Sequence, residues 1–156
     1  IADALVTAGA VASRDEAFER WLHDDSPYYV RHYAPDPLRA VALVRAAGGV
    51  AVLAHPFAVA RGAGTLSDEA IGALADAGLA GIEADHPDHD GPARQRARDL
   101  AARLGLLVTG SSDYHGAGKT TRLGDHLTDP AVLAAIEAQA SGSAVARPPG
   151  ADGASG

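Results

Sequence analysis

The chain has 156 residues, long enough for one domain with a buried core, and its apolar share of 47% is ordinary for a globular protein. With no cysteine it can form neither a disulfide nor a thiolate metal site, so any metal must be held by imidazole and carboxylate. A formal charge of -7 speaks against a broad nucleic-acid surface, which needs a basic excess, but not against a small phosphorylated ligand beside bound cations.

The first stretch reads as two short helices. Residues 1–8 carry apolar side chains at helical spacing and stop at Gly9. Ser13-Arg14-Asp15-Glu16 forms a capping box, in which Ser and Glu side chains satisfy the free amides of a helix start. Ala17, Phe18, Trp21 and Leu22 then make an apolar stripe, and Tyr28-Tyr29-Val30 is an extended link broken by Pro35. Asp36-Pro37 pairs an N-cap with proline at the first helical position. Leu38, Val41, Ala42 and Val44 are the expected buried face of that helix, which Gly48-Gly49 ends. The wholly apolar run 50–54 predicts a strand buried on both faces.

Ser67-Asp68-Glu69 caps the next helix, which reaches Ala77 and stops at Gly78, and residues 79–84 form a second strand. Asp90-Gly91-Pro92 opens a basic-faced helix through Leu104, stopped by Gly105, and residues 106–109 form a third strand. Asp129-Pro130 repeats the capping signal for a last helix to about Ala140. Residues 141–156, rich in Gly, Ser, Ala and Pro, are expected to be a disordered tail. Helix and strand alternate, so the fold class is α/β with parallel strands and crossover helices. No apolar run approaches membrane-spanning length and no secretory signal opens the chain, so a cytoplasmic location is expected.

Ligand-type residues follow each strand. His55-Pro56 follows the first; Glu83, Asp85, His86, Asp88 and His89 lie at or after the end of the second. Ser111-Ser112-Asp113-Tyr114-His115-Gly116 follows the third. Parallel strands end on one side of a sheet, where α/β folds place their sites, so the three clusters converge. A lone histidine after a strand is more often a hydrogen-bonded core or surface residue, and Asp-x-His is weak by itself. The convergence of three clusters predicts a metal site, and its imidazoles and carboxylates suit zinc, manganese or iron. His23 is read as a partner of a helix end, and His32 and His126 as loop residues without a role. Gly62-Ala63-Gly64 lacks the Lys and Ser/Thr of a phosphate loop, and Gly116-Ala117-Gly118-Lys119-Thr120 lacks its spacing. Lys119 is within reach of an anion in principle, and a solvated loop lysine is the slightly favoured reading.

Val52-Leu53-Ala54-His55-Pro56, Gly81-Ile82-Glu83-x-x-His86-Pro87 and Gly110-Ser111-Ser112-Asp113-Tyr114-His115-Gly116 resemble the polymerase and histidinol phosphatase (PHP) superfamily of metal-dependent phosphoesterases. Within it the likeness is greatest to bacterial phosphatases that release the 3'-phosphate of nucleoside 3',5'-bisphosphates. Those enzymes carry a small helical insertion before the His-Pro strand, and Ala4-Leu5-Val6, Glu16-Ala17-Phe18 and Tyr28-x-Val30 fall in its order.

The resemblance implies the C-terminal part of a distorted (β/α)7 barrel that holds two or three divalent ions (Mn, Zn or Fe). Residues 1–34 would be the helical insertion, 35–140 the C-terminal βα units and 141–156 the tail. By matching position His55, Asp113 and His115 would be metal ligands. His86 would face the substrate phosphate, and Glu83 would stand behind the ligands. The family's opening His-x-His motif is absent, and the chain starts at Ile1 with no methionine, so a truncated or processed product is expected. Where relatives continue His-Pro with Gly-Arg, this chain has Phe57-Ala58, and Arg61 is the candidate replacement for the phosphate-binding arginine.

The expected activity of the intact protein is metal-assisted hydrolysis of a phosphomonoester, with a nucleotide such as a nucleoside 3',5'-bisphosphate as substrate. The general acid is left unassigned. The alternatives are a histidinol phosphatase, a polymerase-linked exonuclease, or a non-catalytic barrel fragment that serves partner contact. Three strands cannot close a barrel. The expected partner is therefore the N-terminal half of the barrel, or a second copy that completes the sheet.

Overall fold

A computed structural model of the chain describes residues 1–31, 33–58, 66–116, 120–144 and 146. Two compact units divide it, Ile1–Pro35 and Asp36–Gly156.

The first unit holds helices α1 (Ala2–Thr7) and α2 (Arg14–Arg20). Ser13 Oγ accepts the Glu16 amide, and Glu16 returns its carboxylate to the Ala12 amide at 2.7 Å, so the capping box closes one residue early. Ala2, Val11 and Ala17 form a small core with Leu5, Val6, Trp21 and Leu22 packed against it. Phe18 is half exposed, because in a helix of two turns only the residues facing α1 can be covered. The link expected to be extended at residues 28–30 begins as a turn: the Tyr29 amide donates to the Ser26 carbonyl and the Tyr28 amide to Ser26 Oγ. The serine side chain offers these amides the local partner that an extended chain would lack.

The second unit contains α3 (Pro37–Ala46), β1 (Val52–Leu53), α4 (Asp68–Asp76), β2 (Gly81–Asp85), α5 (Gly91–Leu104), β3 (Leu107–Gly110) and α6 (Pro130–Gln139). The strands form one parallel sheet in the order β1-β2-β3. Each helix starts on the side chain that its sequence offers: Asp36, Ser67, Asp90 and Asp129 all accept amides of the first turn. Gly105, at φ 67, ends α5 in the left-handed region that suits glycine. Asp68 at the start of α4 receives both Arg96 and Arg103 from α5, which ties two crossover helices together at the surface.

Ile82, Ala84, Ile71, Leu100, Ala97, Ala101 and Phe57 make the main core between β2 and helices α4 and α5. Val41, Ala51, Leu74 and Leu79 make a second cluster under α3. Two expectations need correction here. The strand expected over residues 50–54 pairs only through Val52 and Leu53, both half-buried. It lies at the sheet edge, and past it the His55 amide goes to the Glu83 carboxylate instead of a neighbouring carbonyl, which ends the ladder. On α3 only Val41 is buried, with Leu38 at 44% and Val44 at 39% exposure, because the helix has one packed side. The expected tail begins anchored, since the Ser141 and Gly142 amides donate to the Gly48 carbonyl. Most of the rest of it, with Lys119 and the 62–64 glycine run, lies outside the described residues. No helix among the described residues is long and apolar enough to cross a membrane.

Candidate metal centre

The C-terminal ends of the three strands bring their loops together. After β1 the chain turns at His55, whose φ of 29 is unusual for a residue with a side chain. Its amide donates to Glu83 Oε2 at 2.7 Å. After β3 the Ser111 amide returns to the Asp85 carbonyl and the Asp113 amide donates to Ser111 Oγ, with Asp113 itself at φ 46. Left-handed conformations at non-glycine residues cost about 1–3 kcal/mol each and collect at functional sites. Of the three such residues described, His55, Asp113 and His126, the first two lie in the loops that follow β1 and β3.

At the end of β2, Glu83 and Asp85 part company. Strand alternation would put residues two apart on one face, but the β2–β3 ladder shifts register between them. Glu83, 8% exposed, reaches the His55 amide, whereas both oxygens of Asp85 take Arg98 of α5 at 2.6 and 2.7 Å. Asp85 therefore belongs to an ion pair with α5.

His86-Pro87-Asp88-His89 forms a tight turn in which the His89 amide donates to the His86 carbonyl, with proline at the position whose φ it already satisfies. Both imidazoles are buried, at 1% and 2% exposure. The Asp88 amide donates to His86 Nδ1 at 3.0 Å, so a neutral His86 carries its proton on Nε2. That Nε2 is buried without a hydrogen-bond partner among the described residues and faces Asp113 Oδ2 at 3.6 Å.

His115 is set the other way. Its Nδ1 lies 2.6 Å from the Asp113 carbonyl oxygen, which can only accept, so Nδ1 carries the proton and Nε2 keeps a lone pair. This is the arrangement in which a histidine commonly meets a metal. Its Nδ1 is also 3.5 Å from Asp113 Oδ1, and the ring is largely exposed. The His55 ring stands 4.7 Å from that of His86.

Among the described residues, donor atoms of His86, Asp88 and Asp113 lie within 4.8 Å of one another, close enough to surround a cation. The tautomer argues that His86 joins this set as an N–H donor, not as a lone-pair ligand, unless the Asp88 amide lets go. Burial pushes the Glu83 carboxyl up, against the pull of the His55 amide bond. Burial, with the His55 charge nearby, pushes the His86 imidazole down. The donor set of imidazole and carboxylate, with a buried and unpartnered imidazole nitrogen beside it, fits a divalent cation of the zinc or manganese type together with an anion that the cation binds.

Of the residues singled out in the sequence, His55 neighbours His86, His86 neighbours Asp113, and Asp113 neighbours His115, whereas the group of donor atoms that converges within 4.8 Å is His86, Asp88 and Asp113. Arg61 and His32 lie outside the described residues. His23, three residues beyond α2, uses its carbonyl to accept the Ser26 amide, and His126 sits at φ 57 before Leu127. Asp88 and His89 were given no individual role in the sequence. Pro87 is the signal that could have found them, because a turn there folds both back against the strand ends.

No family model matches the chain. It is 45% identical over 82 residues to a phosphoribosyl 1,2-cyclic phosphate 1,2-diphosphodiesterase of Eggerthella lenta, covering 52% of this chain and 29% of that protein. It is 34% identical over 125 residues to a 3',5'-nucleoside bisphosphate phosphatase of Chromobacterium violaceum, covering 80% of this chain and 44% of that protein. The chain thus spans less than half the length of these curated relatives. Among solved structures, a protein of Bifidobacterium adolescentis described as a metal-dependent phosphoesterase superposes with a TM-score of 0.82 at 41% identity, over 90% of this chain and 49% of that one. An amidohydrolase of Chromobacterium violaceum, solved with sulfate and no metal, gives a TM-score of 0.64 at 29% identity, over 88% and 49%. The chain is a relative of PHP-like metal-dependent phosphoesterases along part of their length.

Proposed function

We propose that the chain is the C-terminal portion of a PHP-type barrel whose metal-dependent site hydrolyses a phosphomonoester of a nucleotide, such as a nucleoside 3',5'-bisphosphate. His55, Asp113 and His115 are the ligands this chain supplies, and His86 with Arg61 receives the phosphate. In this reading residues 1–34 are a helical insertion, 35–140 the barrel's βα units and 141–156 a tail. The observation that carries it is the opposite protonation of two histidines flanking one carboxylate: His115 offers a lone pair beside Asp113, and His86 offers an N–H.

Two or three divalent ions (Mn, Zn or Fe) would supply charge that lowers the pKa of water to near neutrality and neutralises the phosphoryl oxygens. The protein's own part follows from its geometry. Asp113 and His115 hold the cation side. The Nε2–H of His86, desolvated and on a ring whose Nδ1 accepts the Asp88 amide, donates to a phosphoryl oxygen without reorienting, which is where a preformed donor is worth most. Glu83 does not reach for the substrate, because its carboxylate holds the backbone of His55.

Within the described residues β1 and β3 each pair on one side only, and an apolar groove of about 390 Å³ beside β1 is lined by Val41, Val44, Val52, Leu53, Leu74 and Leu79. Parallel sheets are normally covered on both faces. The groove and open edge support a partner that continues the sheet, either the rest of the barrel or a second copy.

The likeness to a cyclic phosphodiesterase, the higher of the two identities, favours a second reading: a phosphodiester at the same site. The test is phosphate release by the full-length protein from adenosine 3',5'-bisphosphate and, from a ribosyl 1,2-cyclic phosphate, ring opening to the phosphomonoester followed by phosphorus NMR, each with added Mn²⁺ or Zn²⁺. Metal-dependent turnover of the bisphosphate that disappears in Asp113→Ala supports the first reading, and turnover of the cyclic ester alone supports the second. Turnover of neither sinks both.

A further inference from the structure

His89 has no part in the chemistry above, yet it is one of the most buried side chains in the molecule, at 2% exposure. A buried imidazole is costly unless its nitrogens are satisfied, and here both are. Nδ1 lies 2.9 Å from the Ala84 carbonyl oxygen, so it carries the proton. Nε2 is then an acceptor, and the Phe57 amide donates to it at 3.2 Å. One ring therefore bridges β2 to the segment that follows β1.

That segment is the one that presents His55. Its three residues have only two amide donors, because Pro56 has none. Glu83 takes the first, from His55, and His89 takes the second, from Phe57. Both acceptors come from β2 and the turn after it. The segment has a further internal bond, from the Ala58 amide to the His55 carbonyl. It also holds His55 at φ 29, a conformation the surroundings must impose. The Phe57 ring, 2% exposed, packs against His89 with centroids 6.0 Å apart, so apolar contact reinforces the same link.

We propose that His89 is a positioning residue: by bridging Ala84 and Phe57 it splints the His55–Pro56–Phe57 turn and so aims the His55 imidazole into the metal centre. This rests on the reading of His55 as a ligand. A ring with one donor and one acceptor at fixed separation does what neither an apolar core residue nor a lysine could do there. Glutamine, whose amide also has a donor and an acceptor, is the conservative stand-in.

The experiment uses the full chain with Zn²⁺ or Co²⁺ alone, titrated against a chromophoric chelator, and amide hydrogen exchange of the metal-free protein. His89→Ala should weaken metal binding by roughly 10–100-fold, the usual effect of losing a residue that orients a ligand. It should also strip protection from the Phe57 amide. His89→Gln should restore both, and it carries the test if the alanine variant does not fold. Unchanged affinity in His89→Ala overturns the proposal, as does a loss that glutamine fails to rescue in a folded protein. His55→Ala separates the two ideas. If that variant binds metal as well as the parent, the ligand reading fails and the splint is judged on Phe57 protection, which must fall in His89→Ala.

Discussion

The Glu83 carboxylate accepts the amide of His55 at 2.7 Å across the gap between two adjacent strands. It replaces a rung of the β1–β2 ladder with a side chain, and the chain is free to turn out of the sheet at that point. Removing the carboxylate leaves a half-buried amide without its acceptor, at a cost of about 1–3 kcal/mol. Glu83→Ala should lower the denaturant midpoint accordingly, and Glu83→Gln, which keeps an oxygen, should lose less. Equal losses in the two variants would mean that the bond contributes little.

The His86 imidazole sets a pH dependence in the metal-free protein. Burial holds its folded-state pKa below the ordinary 6.5. As pH falls, the unfolded chain takes up the proton first, so stability is full above about 6.5 and declines through that value toward the lower folded one. Unfolding free energies from about pH 8 down to about pH 5 should fall in the parent more steeply than in His86→Gln. Parallel curves would refute the assignment.

Asp113 stands between His86 and His115, and its loss should be felt by metal before fold. Asp113→Ala is expected to reduce zinc affinity by at least roughly tenfold, read by metal competition. Its unfolding midpoint should change little or fall slightly, since alanine keeps a Cβ at φ 46 and tolerates that conformation less well than aspartate. Retained affinity would remove Asp113 from the ligand set.

Asp85 offers the contrast. Its bidentate pair with Arg98 is partly exposed, and such pairs contribute about 0–1 kcal/mol. Asp85→Asn should leave metal binding unchanged and stability nearly so. A drop in metal content comparable with Asp113→Ala would show that Asp85 swings into the centre.

Helix boundaries were the most legible part of the sequence. Asp36, Ser67, Asp90 and Asp129 each cap a helix, and Gly78 and Gly105 follow the ends of two, because caps and stops depend on a few adjacent atoms. The parallel direction of the strands also followed from alternation alone. The extent of β1 did not, since Glu83, some thirty positions away, decides where its ladder ends. Nor did the separation of Glu83 from Asp85, which depends on a register shift that only the paired strand creates. In the candidate site, that the loops after the three strands meet was readable from strand polarity, and His55, His86, Asp113 and His115 are pairwise neighbours there. Which imidazole nitrogen carries a proton was not, because the Asp113 carbonyl and the Asp88 amide decide it through the folded loops.

His55 and Asp113 both occupy backbone conformations that glycine would accept without strain. Natural selection for stability alone would drift toward glycine at both positions. A lineage that lost the chemistry should therefore betray itself there first, with a firmer fold and two missing side chains. The same two positions thus record, within one polypeptide, whether its scaffold is still being paid to work.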